Sequence, residues 1–215
     1  MNVLLLSATD GEVGILKDYL NSGATIPHNV TLLVGGVGAI ATTFSLTRAL
    51  MQQRYDLVIQ AGVGGSFDAE IPLGAVVQVT AERYGDIGAE DHDDYIDIFD
   101  MGLIDPDKHP HSNSWLVSPP HSLAESIALN KVTGLTINTV SGNEHTIAMR
   151  RSRFGCQVES MEGAAFHYVC LQLGVPFVQI RGISNYVIPR DKSQWRMKDA
   201  IINLNNWLID FLGRA

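Results

Sequence analysis

The sequence predicts an α/β fold, with helices on both faces of a central mixed sheet in a three-layer αβα sandwich. Short apolar runs that suit buried strands alternate with stretches of helical periodicity, beginning with residues 3–6 and 11–20. Because parallel strands need crossover connections, this alternation is typical of a largely parallel or mixed sheet. A length of 215 residues, 46% of them hydrophobic, is enough for one well-buried domain, which we expect to span residues 1–215.

Each element is predicted from its own pattern. Apolar runs predict buried strands at residues 3–6, 30–34, 57–60, 76–80, 135–140 and 177–180. Helical spacing and end signals predict helices at residues 11–20, 39–54, 122–129, 144–154, 161–173 and 195–212. Glycine turns are predicted at residues 35–38 and 61–65. Residues 84–121 show weak periodicity, so we expect a long excursion that covers the site.

Composition and charge disfavour several classes of partner. The net charge of −8 provides no basic surface for phosphate backbones, so we expect no nucleic-acid partner. The apolar residues 1–6 lack a basic flank and lead directly into Asp10 and Glu12, which predicts a first strand rather than a signal peptide. No apolar stretch is long enough to cross a bilayer, so no membrane is expected. The sparse cysteines, Cys156 and Cys170, fit reduced thiols in a cytoplasmic protein.

Three polar side chains lie at strand and helix ends where chemistry is expected. Glu162 opens an apolar helix, and because an unpaired buried carboxylate is costly, we expect it to have partners. Asn185 follows the strand at 177–180, at the edge where open α/β sheets bind ligands. Glu12 lies at the start of the first helix, where a carboxylate favours the helix dipole whether or not it is catalytic. We expect Glu162 and Asn185 to face one pocket.

Other kinds of site fit the sequence poorly. A dinucleotide fingerprint, a P-loop and a Gly-x-Ser-x-Gly elbow are absent, so no cofactor is expected. The glycine segments could cradle an anion or a ribose, or could simply form tight turns. An acidic cluster lacks the spacing of metal ligands on one element, so we expect no metal and interpret it as a solvated loop. Its members are Asp86, Glu90, Asp91, His92, Asp93 and Asp94.

Three stretches together resemble the purine nucleoside phosphorylase and nucleosidase superfamily. They are VESMEGA at residues 158–164, ISNYV at 183–187 and YGDIGAED at 84–91. Within that superfamily the likeness is to the futalosine hydrolases, and it runs nearly from end to end. The resemblance implies a nucleoside phosphorylase-like sandwich.

The resemblance also implies a reaction and its residues. The expected reaction is hydrolysis of the N-glycosidic bond of futalosine, which releases hypoxanthine and dehypoxanthine futalosine in menaquinone biosynthesis. Glu162 would hold the ribose hydroxyls, Met161 would pack under the sugar, and Glu12 would orient and deprotonate water. Asn185 would stabilise the departing base, and its carboxamide would favour a 6-oxopurine. A homo-oligomer is implied as well.

Further residues receive secondary roles from the same resemblance. The sugar side would be closed by Gly62, Val63 and Gly64. His145 would lie near the purine face, although the residues alone favour a structural role. Independently of the resemblance, Glu159 is interpreted as a structural or solvent-facing carboxylate, and Arg181 as structural.

Rival functions stay open at this point. Phosphorolysis is disfavoured because residues 60–64 offer neither an arginine nor a serine for phosphate. A methylthioadenosine/S-adenosylhomocysteine nucleosidase would act on a nucleoside with a different group at the sugar 5′ position, and the sequence does not reveal which group this protein accepts. A nucleoside-binding regulatory protein is disfavoured because binding alone would need only one of Glu12 and Glu162.

Overall fold

The computed structural model describes residues 1–92 and 94–214 of the chain. Its strands are, in chain order, β1 (Asn2–Ser7), β2 (Asn29–Val34), β3 (Leu57–Ser66), β4 (Val76–Tyr84), β5 (Gly88–Asp91), β6 (Asp94–Asp97), β7 (Leu116–Val117), β8 (Asn130–Thr136), β9 (Val158–Ser160) and β10 (Phe177–Tyr186). Its helices are α1 (Asp10–Asn21), α2 (Ala39–Gln52), α3 (Ser122–Glu125), α4 (Glu144–Phe154), α5 (Gly163–Leu173) and α6 (Met197–Leu212), with a 3-10 turn at Lys192–Gln194.

The central sheet is mixed, and part of it closes on itself. Its strands follow the order β10-β4-β8-β9-β3-β1-β2, and β10 also pairs with β3, which closes a ring. The pairs β4–β10 and β3–β9 are antiparallel, whereas β1–β2, β1–β3, β3–β10, β4–β8 and β8–β9 are parallel. The predicted α/β class with a mixed sheet is confirmed. The three-layer description stays a prediction, because the ring curves much of the sheet away from a flat layer.

Helices cover both faces of the sheet around β1. Leu5 packs in one apolar cluster with Leu16 of α1 and Leu208 of α6. Its neighbour Leu4 points the other way and packs with Leu46 of α2. Successive side chains of a strand alternate between faces, so the continuous apolar run of β1 serves two cores. None of the described helices combines the length and the apolarity needed to cross a membrane.

The glycine segment at residues 61–65 is strand, so the predicted turn there is wrong. β3 runs through it and pairs with β10. Glycine is needed for close approach, because a Cβ on Gly64 would lie 2.9 Å from Cγ1 of Val158. By contrast, Gly36 and Gly38 have φ values of 90° and 88°, and they form the turn predicted between β2 and α2.

Several predicted boundaries are also wrong. β8 covers Asn130–Thr136 rather than residues 135–140, because its polar first half hides the strand pattern. α3 ends at Glu125, and the hydroxyl of Ser126 donates to the Leu123 carbonyl, a local bond that competes with helix continuation. β9 is too short to show periodicity, and α5 begins one residue after Glu162.

Asn205 of α6 inserts its side chain into the backbone ladder of α1. Its Oδ1 accepts from the Leu16 N–H at 2.9 Å, and its Nδ2 donates to the Glu12 carbonyl at 2.8 Å. An α-helix normally pairs these two backbone groups with each other. Asn205 is fully buried, so it fixes the turn of α1 that carries Glu12.

We expect Asn205→Ala to lower the free energy of unfolding by about 1–3 kcal/mol, because buried backbone groups of α1 lose their partners. Denaturant unfolding measures the loss. The control is Asn206→Ala, whose side chain is exposed on the same helix and whose effect should stay within about 0.5 kcal/mol. Equal stability of the two variants would contradict the insertion.

Candidate active site

A cavity of about 370 Å³ lies where the ends of β3 and β10 meet the first turns of α1 and α5. Its size falls within the range of small-molecule sites, about 300–1,000 Å³. The structure brings Glu12, Glu162 and Asn185 together in its wall. These are the three residues that the sequence predicts to be catalytic.

Glu12 is both a helix cap and a bridge to the sheet. Its Oε2 accepts from the N–H and hydroxyl of Thr9, both at 3.0 Å, and from the Ser7 hydroxyl at 3.1 Å. Its Oε1 accepts from the Val63 N–H of β3 at 3.0 Å. The carboxylate is 9% exposed and lines the cavity. Capping and a role in the site are therefore compatible.

Glu162 occupies the N-cap position of α5 and reaches two partners. Its Oε1 accepts from the Gly38 N–H at 3.0 Å, and its Oε2 lies 3.5 Å from Nη1 of Arg181. These contacts meet the expectation that this buried carboxylate has partners. The Gly38 turn precedes α2, so the predicted glycine turn at residues 35–38 contributes directly to the site.

Arg181 is part of the site, which the sequence does not reveal. It is 1% exposed, and besides Glu162 its guanidinium contacts the Val63 carbonyl at 3.4 Å and Gln60 Oε1 at 3.0 Å. A Cβ on Gly62 would lie 2.6 Å from Arg181 Nη1 and 2.8 Å from Glu12 Oε1. The guanidinium therefore lies beside both carboxylates. An arginine inside an apolar strand was the signal that could have located it.

Asn185 sits at an irregularity in the pairing of β10 with β3, where the register shifts. Its Oδ1 accepts from the Ser184 hydroxyl at 2.8 Å, and its Nδ2 donates to the Tyr186 carbonyl at 3.0 Å. This orientation leaves a second N–H of the amide without an acceptor among the described residues. The side chain is half-buried and lines the cavity, so it presents a donor to a ligand.

Apolar side chains form much of the rest of the wall, together with the polar residues Thr9, Glu159, Ser160 and Ser184. Met161, Val63 and Gly64 line the cavity as predicted, whereas Gly62 does not, so its predicted place on the sugar side is wrong for this cavity. Further apolar wall residues that the sequence did not single out are Val37, Ile137, Val140, Trp195, Met197 and Ile201. Nothing in the sequence marks them, because large apolar residues such as Trp195 and Met197 at the start of a helix cannot be distinguished from ordinary core residues. The wall therefore combines a broad apolar surface with a few polar groups, as ligand sites do.

Two predicted parts of the site lie elsewhere. His145 is exposed in the first turn of α4 and does not line the cavity, so its role stays a prediction. None of the described residues of the excursion at 84–121 lines this cavity, so the prediction that the excursion covers the site is wrong for this cavity. Its β5 and β6 form a separate hairpin, and Tyr84 bonds His111 at 3.1 Å. Residues of the excursion instead help to enclose a second cavity of about 270 Å³.

Glu159 is buried and lines the cavity, so the solvent-facing alternative is wrong and the structural role stays a prediction. It is 4% exposed, and its Oε1 accepts from the Ser141 N–H at 3.0 Å while the Ser141 hydroxyl donates to Oε2. Arg150 Nη1 lies 3.4 Å from the same oxygen. Burial raises the pKa of Glu159, and the bonds to Ser141 and Arg150 oppose that rise. In the described residues, no group of three or more His, Cys, Asp or Glu side chains could hold a metal ion.

Comparisons with known proteins identify the family. The model of the phosphorylase superfamily matches residues 23–212. Futalosine hydrolase of Streptomyces coelicolor is 35% identical to this chain, and the match covers 84% of this chain and 77% of the hydrolase. Futalosine hydrolase of Thermus thermophilus is 30% identical, and the match covers 77% of this chain and 73% of that hydrolase. The structure of the 5′-methylthioadenosine/S-adenosylhomocysteine nucleosidase of Colwellia psychrerythraea, in complex with adenine, has a TM-score of 0.78 at 24% identity and covers 99% of this chain and 95% of that one. The chain belongs to the phosphorylase superfamily and is an N-glycosyl hydrolase.

We expect Gly62→Ala to lower kcat/KM about tenfold or more. The added methyl overlaps Arg181 and Glu12, and overpacking of this kind costs about 1–3 kcal/mol. The control is Gly14→Ala in α1, where a Cβ meets nothing within 4 Å. It should keep its activity and fold at least as stably. Unchanged activity of Gly62→Ala would show that the close approach is not needed.

Proposed function

We propose that this enzyme hydrolyses futalosine to hypoxanthine and dehypoxanthine futalosine, a step of menaquinone biosynthesis. The observation that carries the proposal is the meeting of Glu12, Glu162 and Asn185 in one largely apolar cavity. The identity to two futalosine hydrolases supports this substrate. We also propose that residues 1–215 act as one nucleosidase domain.

The charges in the cavity suit cleavage of a ribosyl C–N bond. Cleavage builds positive charge on the sugar and negative charge on the base. Glu162 accepts from the ribose hydroxyls and stabilises the sugar cation, with Arg181 fixing its position. Glu12 takes the proton of the attacking water. Asn185 donates its free N–H to the departing base.

Water is the nucleophile that this electrostatic environment favours. Residues 60–64 themselves offer no arginine, but Arg181 of β10 places a cation beside this glycine segment. Its charge is met by Glu162 at 3.5 Å, and Glu12 lies beside the same glycine. A phosphate dianion would meet two carboxylates and one guanidinium, so it is repelled where neutral water is not.

The second candidate is hydrolysis of methylthioadenosine or S-adenosylhomocysteine. A nucleosidase of that specificity from Colwellia psychrerythraea is 25% identical over 100% of this chain. The amide of Asn185 favours the first candidate, since its free N–H suits the 6-oxo acceptor of hypoxanthine better than the 6-amino donor of adenine.

Oligomeric state and location complete the proposal. We propose a homo-oligomer, supported by an apolar surface in which Ile40 is 87% exposed, Phe44 64% and Val37 56%. Exposed apolar patches mark interaction sites. A cytoplasmic location is supported by Cys156 and Cys170, which are both free and buried.

The substrate is tested by giving the purified protein futalosine, inosine, adenosine and methylthioadenosine and quantifying the free base. We expect hypoxanthine to form from futalosine fastest, without phosphate and in the presence of a chelator. Strict phosphate dependence would identify a phosphorylase, and a loss of turnover that added metal restores would contradict the metal-free mechanism. Faster release of adenine from methylthioadenosine would favour the second candidate.

Glu162→Gln and Glu12→Gln should each lower kcat about a hundredfold or more. Glu162→Gln loses the negative charge that stabilises the sugar cation, and Glu12→Gln loses the general base. Glu12→Gln should still bind nucleoside, which equilibrium binding measures. Asp10→Asn, on the exposed side of the same turn, is the matched control and should keep its activity. Near-parental turnover by either Gln variant would refute that residue's role.

Asn185→Asp should narrow or reverse the preference for a 6-oxopurine over its 6-amino analogue. An unpaired buried donor or acceptor costs about 1–3 kcal/mol, which predicts a parental preference of about tenfold to a hundredfold. The measurement is kcat/KM for a pair of nucleosides with the same sugar, in both proteins. If the ratio does not change, another residue reads the purine 6-position.

A further inference from the structure

A buried carboxylate that this mechanism does not use lies next to the site. Glu82 of β4 is 0% exposed. Its Oε2 accepts from the Thr136 hydroxyl at 2.9 Å, and its Oε1 accepts from Gln179 Nε2 at 2.8 Å. Within the described part of the chain it forms no salt bridge. An ionised carboxylate in such a position is costly.

Glu82 contacts the backbone that carries the candidate ribose carboxylate. A Cβ on Gly163, the residue after Glu162, would overlap the Glu82 carboxylate, so only glycine allows this packing. Thr136, which donates to Glu82, accepts from the Ala164 N–H at 2.6 Å. Glu82 is thereby connected to the first turn of α5.

The hydrogen bonds around an ionised Glu82 are incomplete. Gln179 donates through Nε2, and its Oε1 has no donor among the described residues. The Gln179 amide also faces the ring of His167, whose Nε2 has no partner either. Nδ1 of His167 lies 2.9 Å from the Leu116 carbonyl and must donate to it, so Nε2 of the neutral ring is an acceptor. An acceptor therefore faces an acceptor.

One proton on Glu82 completes this network. If the Gln179 amide is turned over, its Nε2 donates to His167 Nε2 and its Oε1 accepts from a protonated Glu82. Thr136 still donates to the other carboxyl oxygen, so each of these groups has a partner. The alternative, a proton on His167, is opposed by burial, which lowers the pKa of His167 to about 4. Burial raises the pKa of Glu82 to about 7.

We propose that Glu82 is a positioning residue that carries a proton in the active enzyme and, once ionised, draws the Arg181 guanidinium away from Glu162. The role of Glu162 is that of the proposed function. The charge of Arg181 favours an ionised Glu82, whereas that of Glu162 opposes it. Nε of Arg181 has no acceptor among the described residues, so the guanidinium is free to engage a second carboxylate. Loss of the proton to solvent would thus weaken the hold on Glu162.

The groups that face Glu82 come from every element packed against it. They are Gln179 and Arg181 of β10, Thr136 and Gly134 of β8, His167 of α5, Glu162 at its N-cap, and Cys156 before β9. Burial raises the pKa of Cys156 to about 12, so this thiol stays neutral. With His167 neutral as well, Glu82 is the member of this group that changes charge near neutral pH.

The kinetic test compares the pH dependence of kcat/KM in the parent and in Glu82→Gln. In the parent we expect kcat/KM to be about tenfold lower at pH 8 than at pH 6 through this group. The amide of Glu82→Gln mimics the protonated acid, so activity at pH 6 should stay within about threefold and the decline should vanish. Glu125→Gln, at an exposed position, is the control and should keep the decline. A uniform loss at all pH values, with the decline intact, would indicate a merely structural role and overturn the proposal.

A second arm needs no substrate, so it separates this proposal from the proposed function. The unfolded chain loses the Glu82 proton near pH 4.5 and the folded chain near pH 7, so the parent loses stability as pH rises between these values. The Tm of Glu82→Gln minus that of the parent should grow across this window and then level off. The parent should also show an infrared carbonyl band of a buried carboxylic acid at pH 6 that is absent at pH 8.5. If Glu82→Gln does not fold, Glu82→Met replaces it in both arms. A constant Tm difference and no such band would overturn the proposal.

Discussion

The burial of Arg181 between carboxylates is the interaction on which the site depends. A buried cation needs partners, and leaving one uncompensated costs about 3–5 kcal/mol. Its partners come from distant parts of the chain: Glu162 from the start of α5, Gln60 and the Val63 carbonyl from β3. The guanidinium therefore fixes α5 relative to the sheet while it sets the charge of the cavity. A structural and a functional role cannot be separated for this residue.

Glycines make this concentration of charge sterically possible. The Gly62 backbone leaves room for the Arg181 guanidinium and the Glu12 carboxylate together, and Gly163 leaves room for Glu82. Neither glycine has a positive φ, so their contribution is space rather than conformation. The same absence of side chains lets the Val63 N–H approach Glu12 at 3.0 Å. Close approach of backbone and charge is the constraint that selects glycine in the last part of β3.

The sequence predicts which polar residues line the cavity better than it predicts the backbone around them. Glu12, Glu162 and Asn185 were predictable because each is a polar residue at the end of a strand or at the start of a helix, although a carboxylate such as Glu12 also suits a helix start for capping alone. Residues 61–65 were mistaken for a turn because glycine signals both turning and close packing, and only neighbours distant in sequence distinguish the two. The sequence did not place Arg181 and Glu82 at the site, because each is a charged residue within a strand rather than at its end. Their hydrogen-bond and salt-bridge partners lie far away along the chain.

The fold also connects Glu12, the proposed general base, to the rest of the structure. Glu12 accepts hydrogen bonds through both carboxylate oxygens, and its own carbonyl accepts from Asn205 of α6. It therefore has little freedom to change rotamer, as its proposed role in orienting one water molecule requires. Because one of these donors is the Val63 N–H, beside Arg181, any shift of the guanidinium is felt at both carboxylates. In the proposed mechanism, placement of the water and placement of the ribose thus both depend on the packing around β3.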